Sequence, residues 1–193
     1  MFQYAIALTG SIATGKSTVV SCIKEQGFHV IDADTIAHQI LDQHSQAIVA
    51  LFGEAVVKDE KIDRKALGAL VFADPLQRKQ LEALLHPLIF DEIKRYAQIE
   101  EQQKKIYFID IPLFFETKRY PIEKSLVVYA TREQQLERLM AREGYTEQEA
   151  NQRIDAQIPI EEKVKWASYV IDNSGTLMEL KAQCKRIIEE IGV

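Results

Sequence analysis

Cysteine is scarce in this chain of 193 residues, which contains only Cys22 and Cys184. The two cysteines form no CxxC pair and share no metal-ligand spacing with the four histidines, which argues against a disulfide framework or a zinc site. We therefore expect two partly buried thiols in a reducing compartment.

A long apolar segment is also missing. No run approaches the length that spans a bilayer. The uncharged start of the chain, residues 1–15, has no basic flank and is interrupted at Thr9, Gly10 and Ser11, unlike a secretory signal. We therefore expect a cytoplasmic protein without a membrane partner.

Positive charge is not in excess, since 24 Lys and Arg stand against 29 Asp and Glu, for a formal net charge of −5. Such a chain has no global basic field for a nucleic-acid backbone, so an anionic ligand has to be held by a local site. The content of 47% apolar and 27% charged residues is typical of a globular domain. We expect no nucleic-acid partner, and nothing in the composition indicates an obligate protein partner.

Short apolar runs alternate with amphipathic segments through most of the chain. Strands are predicted at residues 4–9, 28–32, 106–110, 125–130 and 169–172, and helices at 17–26 and 35–41. Further helices are predicted to start at Asp74-Pro75, Thr131, Thr146 and Thr176, which carry N-cap or capping-box signals. This βαβ alternation predicts an α/β fold with a parallel sheet.

The pattern changes between about residues 43 and 105, which contain no clear buried strand. Leucines with helical spacing occur there, at Leu81, Leu84, Leu85 and Leu88. We interpret the stretch as a mainly helical insertion. The prediction is then a single domain over residues 1–193, with a core of about 1–42, 106–140 and 167–193, an insertion of about 43–105 and a helical lid of about 141–166.

The segment from Gly10 to Ser17 matches the P-loop pattern G-x-x-x-x-G-K-[ST]. It follows a predicted strand and opens a predicted helix, which is the setting that this motif requires and which disfavours a plain glycine-rich turn. Its backbone N–H groups and the helix N-terminus suit a phosphate group. The predicted nucleotide-binding residues are Gly10, Ser11, Ile12, Ala13, Thr14, Gly15, Lys16, Ser17 and Thr18.

Three P-loop side chains have distinct predicted roles. Lys16 is expected to reach the β and γ phosphates, and Ser17 to ligate Mg²⁺. Thr18, one residue inside the helix, is placed to reach the α phosphate.

Carboxylates follow two of the predicted strands. Asp32 and Asp34 come just after the second strand and Asp110 ends the third, where ligands of open α/β sheets bind. Phosphoryl transfer to an alcohol needs a group that accepts the hydroxyl proton and groups that orient Mg²⁺. The alternatives are that Asp32 or Asp34 only caps the next helix, and that Asp110 is a loop residue before Pro112.

Four arginines, Arg132, Arg138, Arg142 and Arg153, lie along two predicted helices separated by Gly144. Arg138 and Arg142 are four residues apart and share a helix face. A lid that carries arginines would exclude water from a phosphoryl transfer and stabilise its charge. The alternative is a solvated face, because several glutamates lie alongside.

Together these motifs resemble those of one family, dephospho-coenzyme A kinase. The resemblance rests on residues 7–10 and 15–18, the acidic segment 30–34, residues 63–67 and 71–72, residues 85–89 with His86-Pro87, Asp110-Ile-Pro-Leu113 with Glu116, Arg138, Arg142, Arg153 and Gln157, and residues 170–173 with Gly175. The implied fold is that of a P-loop NTPase, three α/β/α layers with a five-stranded parallel sheet, a helical acceptor-binding insertion and a helical lid.

The resemblance implies transfer of the ATP γ-phosphate to the ribose 3′-hydroxyl of dephospho-CoA, the last step of coenzyme A synthesis, with Mg²⁺. It implies Asp34 as the base, with Lys16 and Arg142 as the other catalytic residues. Arg138 and Asn173 join the P-loop in nucleotide binding. The implied acceptor-side residues are Asp32, Arg64, His86, Pro87 and Asp110, and the implied metal ligands are Ser17 and Asp110.

Other interpretations stay open at this point. Another small-molecule kinase would use the same P-loop and acidic pair. A GTPase-type switch would need an Asn-Lys-x-Asp motif, which is absent, and a nucleotide-binding module without chemistry would not need the acidic residues. His86-Pro87 could be only a kink in a helix, and Arg64 could pair with Asp63 instead of a ligand.

Overall fold

The computed structural model describes residues 1–192, which form two compact units. The first unit comprises Met1–Ile31 and the chain from Ala97 onward, and the second comprises Asp32–Tyr96. The boundaries predicted for the insertion and the lid remain predictions.

The strands are β1 (Ala5–Gly10), β2 (Val30–Asp32), β3 (Val57–Lys58), β4 (Lys61–Ile62), β5 (Tyr107–Asp110), β6 (Lys124–Tyr129) and β7 (Tyr169–Asp172). The helices are α1 (Lys16–Glu25), α2 (Ala33–Gln43), α3 (Ser45–Phe52), α4 (Arg64–Ala73), α5 (Pro75–Gln103), α6 (Phe114–Thr117), α7 (Arg132–Glu143), α8 (Glu147–Asp155), α9 (Ile160–Trp166) and α10 (Leu177–Ile191). A 3₁₀ turn covers Glu54–Val56.

The five-stranded sheet has the order β2-β5-β1-β6-β7, which confirms the predicted α/β fold. β1 pairs in parallel with β5 on one side and β6 on the other, and β6 pairs in parallel with β7. Because the first strand lies in the middle, the chain builds the sheet outward in both directions. The strand order therefore reverses at β1, and the carboxyl end of the strands at such a point is the usual ligand position in these sheets.

Helices α1 and α10 pack on one face of this sheet. Alternate residues of β1, Ile6 and Leu8, point into that layer, as the two-residue period of a strand requires. Helix α10 contributes Leu180, Cys184, Ile187, Ile188 and Ile191 to this layer, as its helical spacing predicts, whereas the prediction that Leu177 also faces inward is wrong, because that side chain is 58% exposed. Because β1 and α1 share this apolar layer, their packing fixes where the loop between them lies.

Both cysteines lie in this layer as free, buried thiols. Cys22 belongs to α1 and Cys184 to α10. Burial, together with the neighbouring Cys22, raises the pKa of the Cys184 thiol to about 12. The expectation of partly buried thiols thus holds in a stronger form, because both side chains are inside the core.

Local hydrogen bonds start several helices where the sequence predicts them. Complete capping boxes open α7, α8 and α10 at Thr131, Thr146 and Thr176. Backbone N–H groups at the last two caps hold the pKa of the Glu149 and Glu179 carboxyls below their usual range.

The second unit is mainly helical, as predicted, but it contains a short antiparallel hairpin of β3 and β4 that the sequence analysis missed. The two turn residues, Asp59 and Glu60, have φ of 51° and 60°. This is the left-handed backbone of a tight hairpin turn, which usually carries asparagine or glycine. The sequence lacks that signal, and strands of two residues show no alternation.

Helix α5 begins at Pro75, where Asp74 Oδ1 accepts a hydrogen bond from the Leu76 N–H at 2.8 Å. Pro87 lies inside this helix, so the helical alternative for His86-Pro87 describes the backbone. Among residues 1–192, no helix combines the length and apolar character that crossing a bilayer demands.

Candidate active site

Strand ends of the first unit bring several predicted residues together. β1 ends at Gly10 and β5 at Asp110, and the two strands stay in register there, with Ile111 N–H donating to Leu8 O at 2.9 Å. Asn173 follows β7 and donates its N–H to Tyr129 O at 2.8 Å. The P-loop is thus flanked by Asp110 on one side and Asn173 on the other.

Two glycines are needed for the shape of the P-loop. A Cβ on Gly10 would lie 2.6 Å from Thr14 Oγ1 and 3.0 Å from the Val128 carbonyl oxygen. Gly15 has φ of 88°, and a Cβ there would lie 2.1 Å from Asn173 Nδ2. Glycine is therefore required at both positions by space, and at Gly15 also by backbone conformation.

Two carbonyl groups of the P-loop accept hydrogen bonds from side chains, one within the loop and one outside it. Ser11 O accepts from Thr14 Oγ1 at 3.0 Å, and Thr14 O accepts from Asn173 Nδ2 at 2.8 Å. The first N–H groups of α1, which begins at Lys16, have no partner within the helix. With the Ser11 and Thr14 carbonyls engaged and a helix N-terminus beside them, the loop is suited to an anion.

The apolar P-loop residues pack against the α7–α8 segment. Ile12 and Ala13 contact a small cluster formed by Leu139, Ala150 and Ile154. Ala13 adopts φ of 61°, a left-handed conformation that costs an alanine about 1–2 kcal/mol. Packing against this cluster offsets that strain and connects the P-loop to both helices.

Lys16 forms an ion pair with Asp110, its Nζ donating to Oδ1. Asp110 is only 8% exposed, so the pair lies in a partly desolvated position where opposite charges interact more strongly than in water. A phosphate group that approaches Lys16 competes with Asp110 for its ammonium group.

Arg138 has an unused donor near the P-loop. Its Nη2 donates to Asn173 O at 2.9 Å. Its Nη1 is buried and has no hydrogen-bond partner within residues 1–192, and it lies 4.0 Å from the position that a Cβ on Gly15 would take. Because an unpaired buried charge is costly, this nitrogen fits an anionic ligand at the P-loop.

The other three arginines are engaged elsewhere. Arg142 is exposed and donates through Nε to Glu143 Oε1 at 2.7 Å, which is the arrangement of a solvated face. Arg132 joins α7 to α8 through Asn151 and Asp155. Arg153 lies 3.9 Å over the ring of Tyr145. Of the predicted set, Arg138 is the arginine whose contacts reach the P-loop.

The sequence analysis missed Lys163, which is fully buried in α9. Its Nζ lies 2.6 Å from Glu116 Oε1 and donates to Gly10 O at 3.0 Å. Burial lowers the pKa of the lysine, while the Glu116 partner acts in the opposite direction. One signal was available in the sequence, because Lys163 follows the buried Ile160 by three positions and so shares its inward face.

The two predicted aspartates at the start of the second unit, Asp32 and Asp34, have different surroundings. Asp32 Oδ1 accepts from Thr35 N–H at 2.9 Å, so Asp32 caps α2, and its acceptor-side role stays a prediction. Asp34 lies exposed in the first turn of α2, where its carboxylate is not the cap. A charge so close to a helix N-terminus is favourably placed.

Three other predicted acceptor-side residues, Arg64, His86 and Pro87, also lie in the second unit, whereas Asp110 belongs to the first. Arg64 pairs with Asp42, Nη2 to Oδ2 at 2.7 Å, whereas Asp63 caps α4. The alternative pairing of Arg64 with Asp63 is therefore wrong. His86 is half-buried in α5, and Pro87 is exposed. Within residues 1–192, no group of three or more His, Cys, Asp and Glu side chains forms a metal cluster.

Comparison with known proteins gives a consistent result. A family model described as dephospho-CoA kinase matches residues 4–179. The dephospho-CoA kinase of Wolinella succinogenes is 50% identical, over 98% of this chain and 95% of the relative. A crystal structure from Thermus thermophilus has a TM-score of 0.82 at 36% identity and covers 100% of both chains. The dephospho-CoA kinase structure from Campylobacter jejuni has a TM-score of 0.79 at 38% identity, covering 98% of this chain and 97% of that one.

The role of Gly15 can be separated from its backbone strain by a pair of variants. Gly15→Ala and Gly27→Ala both place alanine at positive φ, at opposite ends of α1, but a Cβ on Gly27 meets nothing within 4 Å. We expect both variants to lose stability through backbone strain, Gly15→Ala more because its Cβ also forces Asn173 to leave Thr14, and only Gly15→Ala to weaken nucleoside diphosphate affinity, on the order of tenfold. Calorimetric titration with ADP measures this, and equal affinities for the two variants would contradict it.

Proposed function

This chain belongs to the dephospho-CoA kinase family, and we propose on that basis that it transfers the γ-phosphoryl group of ATP to the ribose 3′-hydroxyl of dephospho-CoA. The products are CoA and ADP. The observation that carries the proposal is the phosphate-binding shape of residues 10–16. The Thr14 carbonyl is engaged by Asn173, and α1 begins at Lys16 without a side-chain cap. The buried Nη1 of Arg138 lies beside the loop without a hydrogen-bond partner in the described residues.

The chemistry of the available donors fits Mg²⁺. This ion retains several waters and is usually held by one or two protein oxygens together with substrate phosphates, so a cluster of three carboxylates is not required. Ser17 offers an exposed hydroxyl and Asp110 a carboxylate, and these two residues would hold it. Bound there, the ion would supply positive charge against the phosphate oxygens.

The Lys16–Asp110 ion pair occupies the ammonium group that a nucleotide phosphate would contact. We propose that Lys16 exchanges Asp110 for the β and γ phosphate oxygens, which frees the Asp110 carboxylate that would help to hold Mg²⁺. Thr18, in the first turn of α1, is assigned to the α phosphate, and Asn173 keeps the P-loop in shape through the Thr14 carbonyl. Phosphoryl transfer needs such positioning and charge stabilisation more than covalent chemistry from the protein.

Asp34 is assigned to the acceptor hydroxyl. Its exposed carboxylate is not used as the cap of α2, a role that Asp32 fills, and this difference supports Asp34 as the group that orients the hydroxyl and accepts its proton. A loose transition state requires that proton to leave only late, so a carboxylate placed to orient the hydroxyl is sufficient. The second unit, with Arg64, His86 and Pro87, is assigned to the acceptor.

Arg138 and Arg142 are assigned to the nucleotide and to the transferred phosphoryl group. Arg138 is supported by its unpaired Nη1. Arg142 is four residues further along the same face of α7, and its exposed pair with Glu143 is weak enough to be exchanged for a phosphate. We further assign the protein to the cytoplasm, where its free thiols and ATP are compatible with the surroundings.

An acceptor panel with ADP detection tests the reaction. Dephospho-CoA should support ADP formation, whereas nucleosides and nucleoside monophosphates should not, and CoA itself serves as the matched control because its 3′ position is already phosphorylated. Preference for a nucleoside acceptor would reject the assignment.

Lys16→Ala should stay folded and nearly abolish turnover, because Lys16 is assigned to the nucleotide phosphates. Lys24→Ala, on the exposed side of the same helix, should keep its turnover.

The two aspartates of the acidic segment can be distinguished kinetically. Asp34→Asn should lower kcat about 10²- to 10⁴-fold, with the acceptor KM changed much less, because a general base acts in the transition state. We assign Asp32, besides its cap, to the support of Mg²⁺ waters, so Asp32→Asn, which keeps a good helix cap, should mainly alter the Mg²⁺ dependence. Steady-state kinetics at varied Mg²⁺ decides, and the assignment fails if Asp32→Asn loses kcat while Asp34→Asn retains it.

The arginines of α7 should have separable effects. Arg142→Ala is expected to lower kcat by up to roughly 10³-fold, the lower range for arginines that stabilise a transferring phosphoryl group. Arg138→Ala should have a smaller effect on kcat and act mainly by raising the KM for ATP. Arg132→Ala, in an exposed bridge to Asp155, is the control. Wild-type rates in both Arg138→Ala and Arg142→Ala would favour the solvated-face interpretation.

A further inference from the structure

We propose that Lys163 is a positioning residue for the P-loop, and that Glu116 holds its ammonium group in place. The pair fixes the carbonyl of Gly10 and, through it, the direction of the first amide of the loop. The inference rests on the proposed function only in taking the P-loop to bind nucleotide phosphate.

The contacts of Lys163 are few and well defined. Its side chain has no exposed surface, and its Nζ donates to Gly10 O at 3.0 Å and contacts Glu116 Oε1 at 2.6 Å. Gly10 is the last residue of β1 and the first of the P-loop. The ammonium group therefore acts at the point where strand geometry gives way to the loop.

Fixing one carbonyl fixes the next N–H group. The peptide unit between Gly10 and Ser11 is planar and trans, so the Ser11 N–H points away from the Gly10 oxygen. While Lys163 holds that oxygen on its own side, the amide is directed to the opposite side. If the oxygen were free to rotate, the loop could present a carbonyl where a phosphate needs a donor.

Glu116 also accepts a hydrogen bond from the segment that precedes α9, and this segment in turn contacts the P-loop. Its Oε1 accepts from the Ile158 N–H at 3.2 Å, and Ser11 Oγ donates to Ile158 O at 3.5 Å. The adjacent Gln157 accepts from the Ile12 N–H through Oε1 at 2.8 Å. Residues 10–12 are thus bonded to the chain that leaves α8, and the Lys163–Glu116 pair is the charged part of this connection.

Stability alone is a poor reason for this arrangement. Desolvating two charges costs much of what their attraction returns, and apolar residues of similar volume often serve as well or better in such positions. An apolar side chain, however, cannot donate to the Gly10 carbonyl. The charged pair therefore provides orientation that a hydrophobic replacement would lose.

The test is the double variant Lys163→Met with Glu116→Gln, which removes both charges together and leaves no unpaired ion. The matched control is Lys165→Met with Glu162→Gln, an exposed pair on the same helix at the same separation of 2.6 Å. Three quantities are measured for each: Tm, ADP affinity by calorimetry, and amide hydrogen exchange at Ile12 compared with Leu8 in β1.

We expect the double variant to keep a Tm close to that of the wild type, but to bind ADP on the order of ten- to a hundredfold more weakly, the usual effect of losing a charged hydrogen bond. Exchange should accelerate at Ile12 and not at Leu8. The KM for ATP should rise with the acceptor KM unchanged. The control pair should match the wild type in all of these.

Wild-type ADP affinity together with wild-type Ile12 exchange in the double variant would overturn the proposal, as would an equal loss in the Lys165–Glu162 control. If the double variant does not fold, Glu116→Gln alone keeps the size of the side chain and an acceptor for Ile158. It should weaken ADP binding in the same direction, and unchanged binding would count against the proposal. Hydrogen exchange needs no substrate, so this result stands apart from a failure of the acceptor panel.

Discussion

The conversion of β1 into α1 within six residues is the constraint on which the rest of the structure depends. Such a tight connection turns the backbone N–H groups inward only if its carbonyls find other partners, because a buried carbonyl without a donor is costly. Here Thr14 supplies one donor from within the loop, and Lys163 and Asn173 supply donors from distant parts of the chain. The P-loop is therefore a local motif in sequence, but its conformation is maintained by tertiary contacts.

The order of the sheet explains why these contacts can form. With β1 in the middle, β5 delivers Asp110 on one side, and β6 and β7 deliver Asn173 on the other. The α7–α8 cluster then covers Ile12 and Ala13. Residues far apart in the chain converge on one loop because each follows or ends a strand, and the strand ends share one edge.

Much of this arrangement was predictable where the signal is local. The strands are continuous apolar runs, and the threonine caps carry their partner three residues later, so element type and order follow from short segments. The β3–β4 hairpin was not predictable, because its strands have two residues each and its turn is Asp-Glu. The burial of Lys163 and of the Arg138 Nη1 was not predictable for another reason. Both residues lie in charged segments, and they become buried only through contacts with residues distant in the chain. The capping role of Asp32 stood as one alternative in the sequence, and a single hydrogen bond decides it.

The two buried thiols between α1 and α10 can report how often these two helices separate. Thiolate is the species that reacts with alkylating reagents, and a pKa of about 12 for Cys184 leaves almost none of it at neutral pH in the closed core. Labelling of Cys22 and Cys184 therefore has to wait until the two helices separate. The rate at which the native chain takes up such a reagent would report how often that layer opens, without any substitution in the chain.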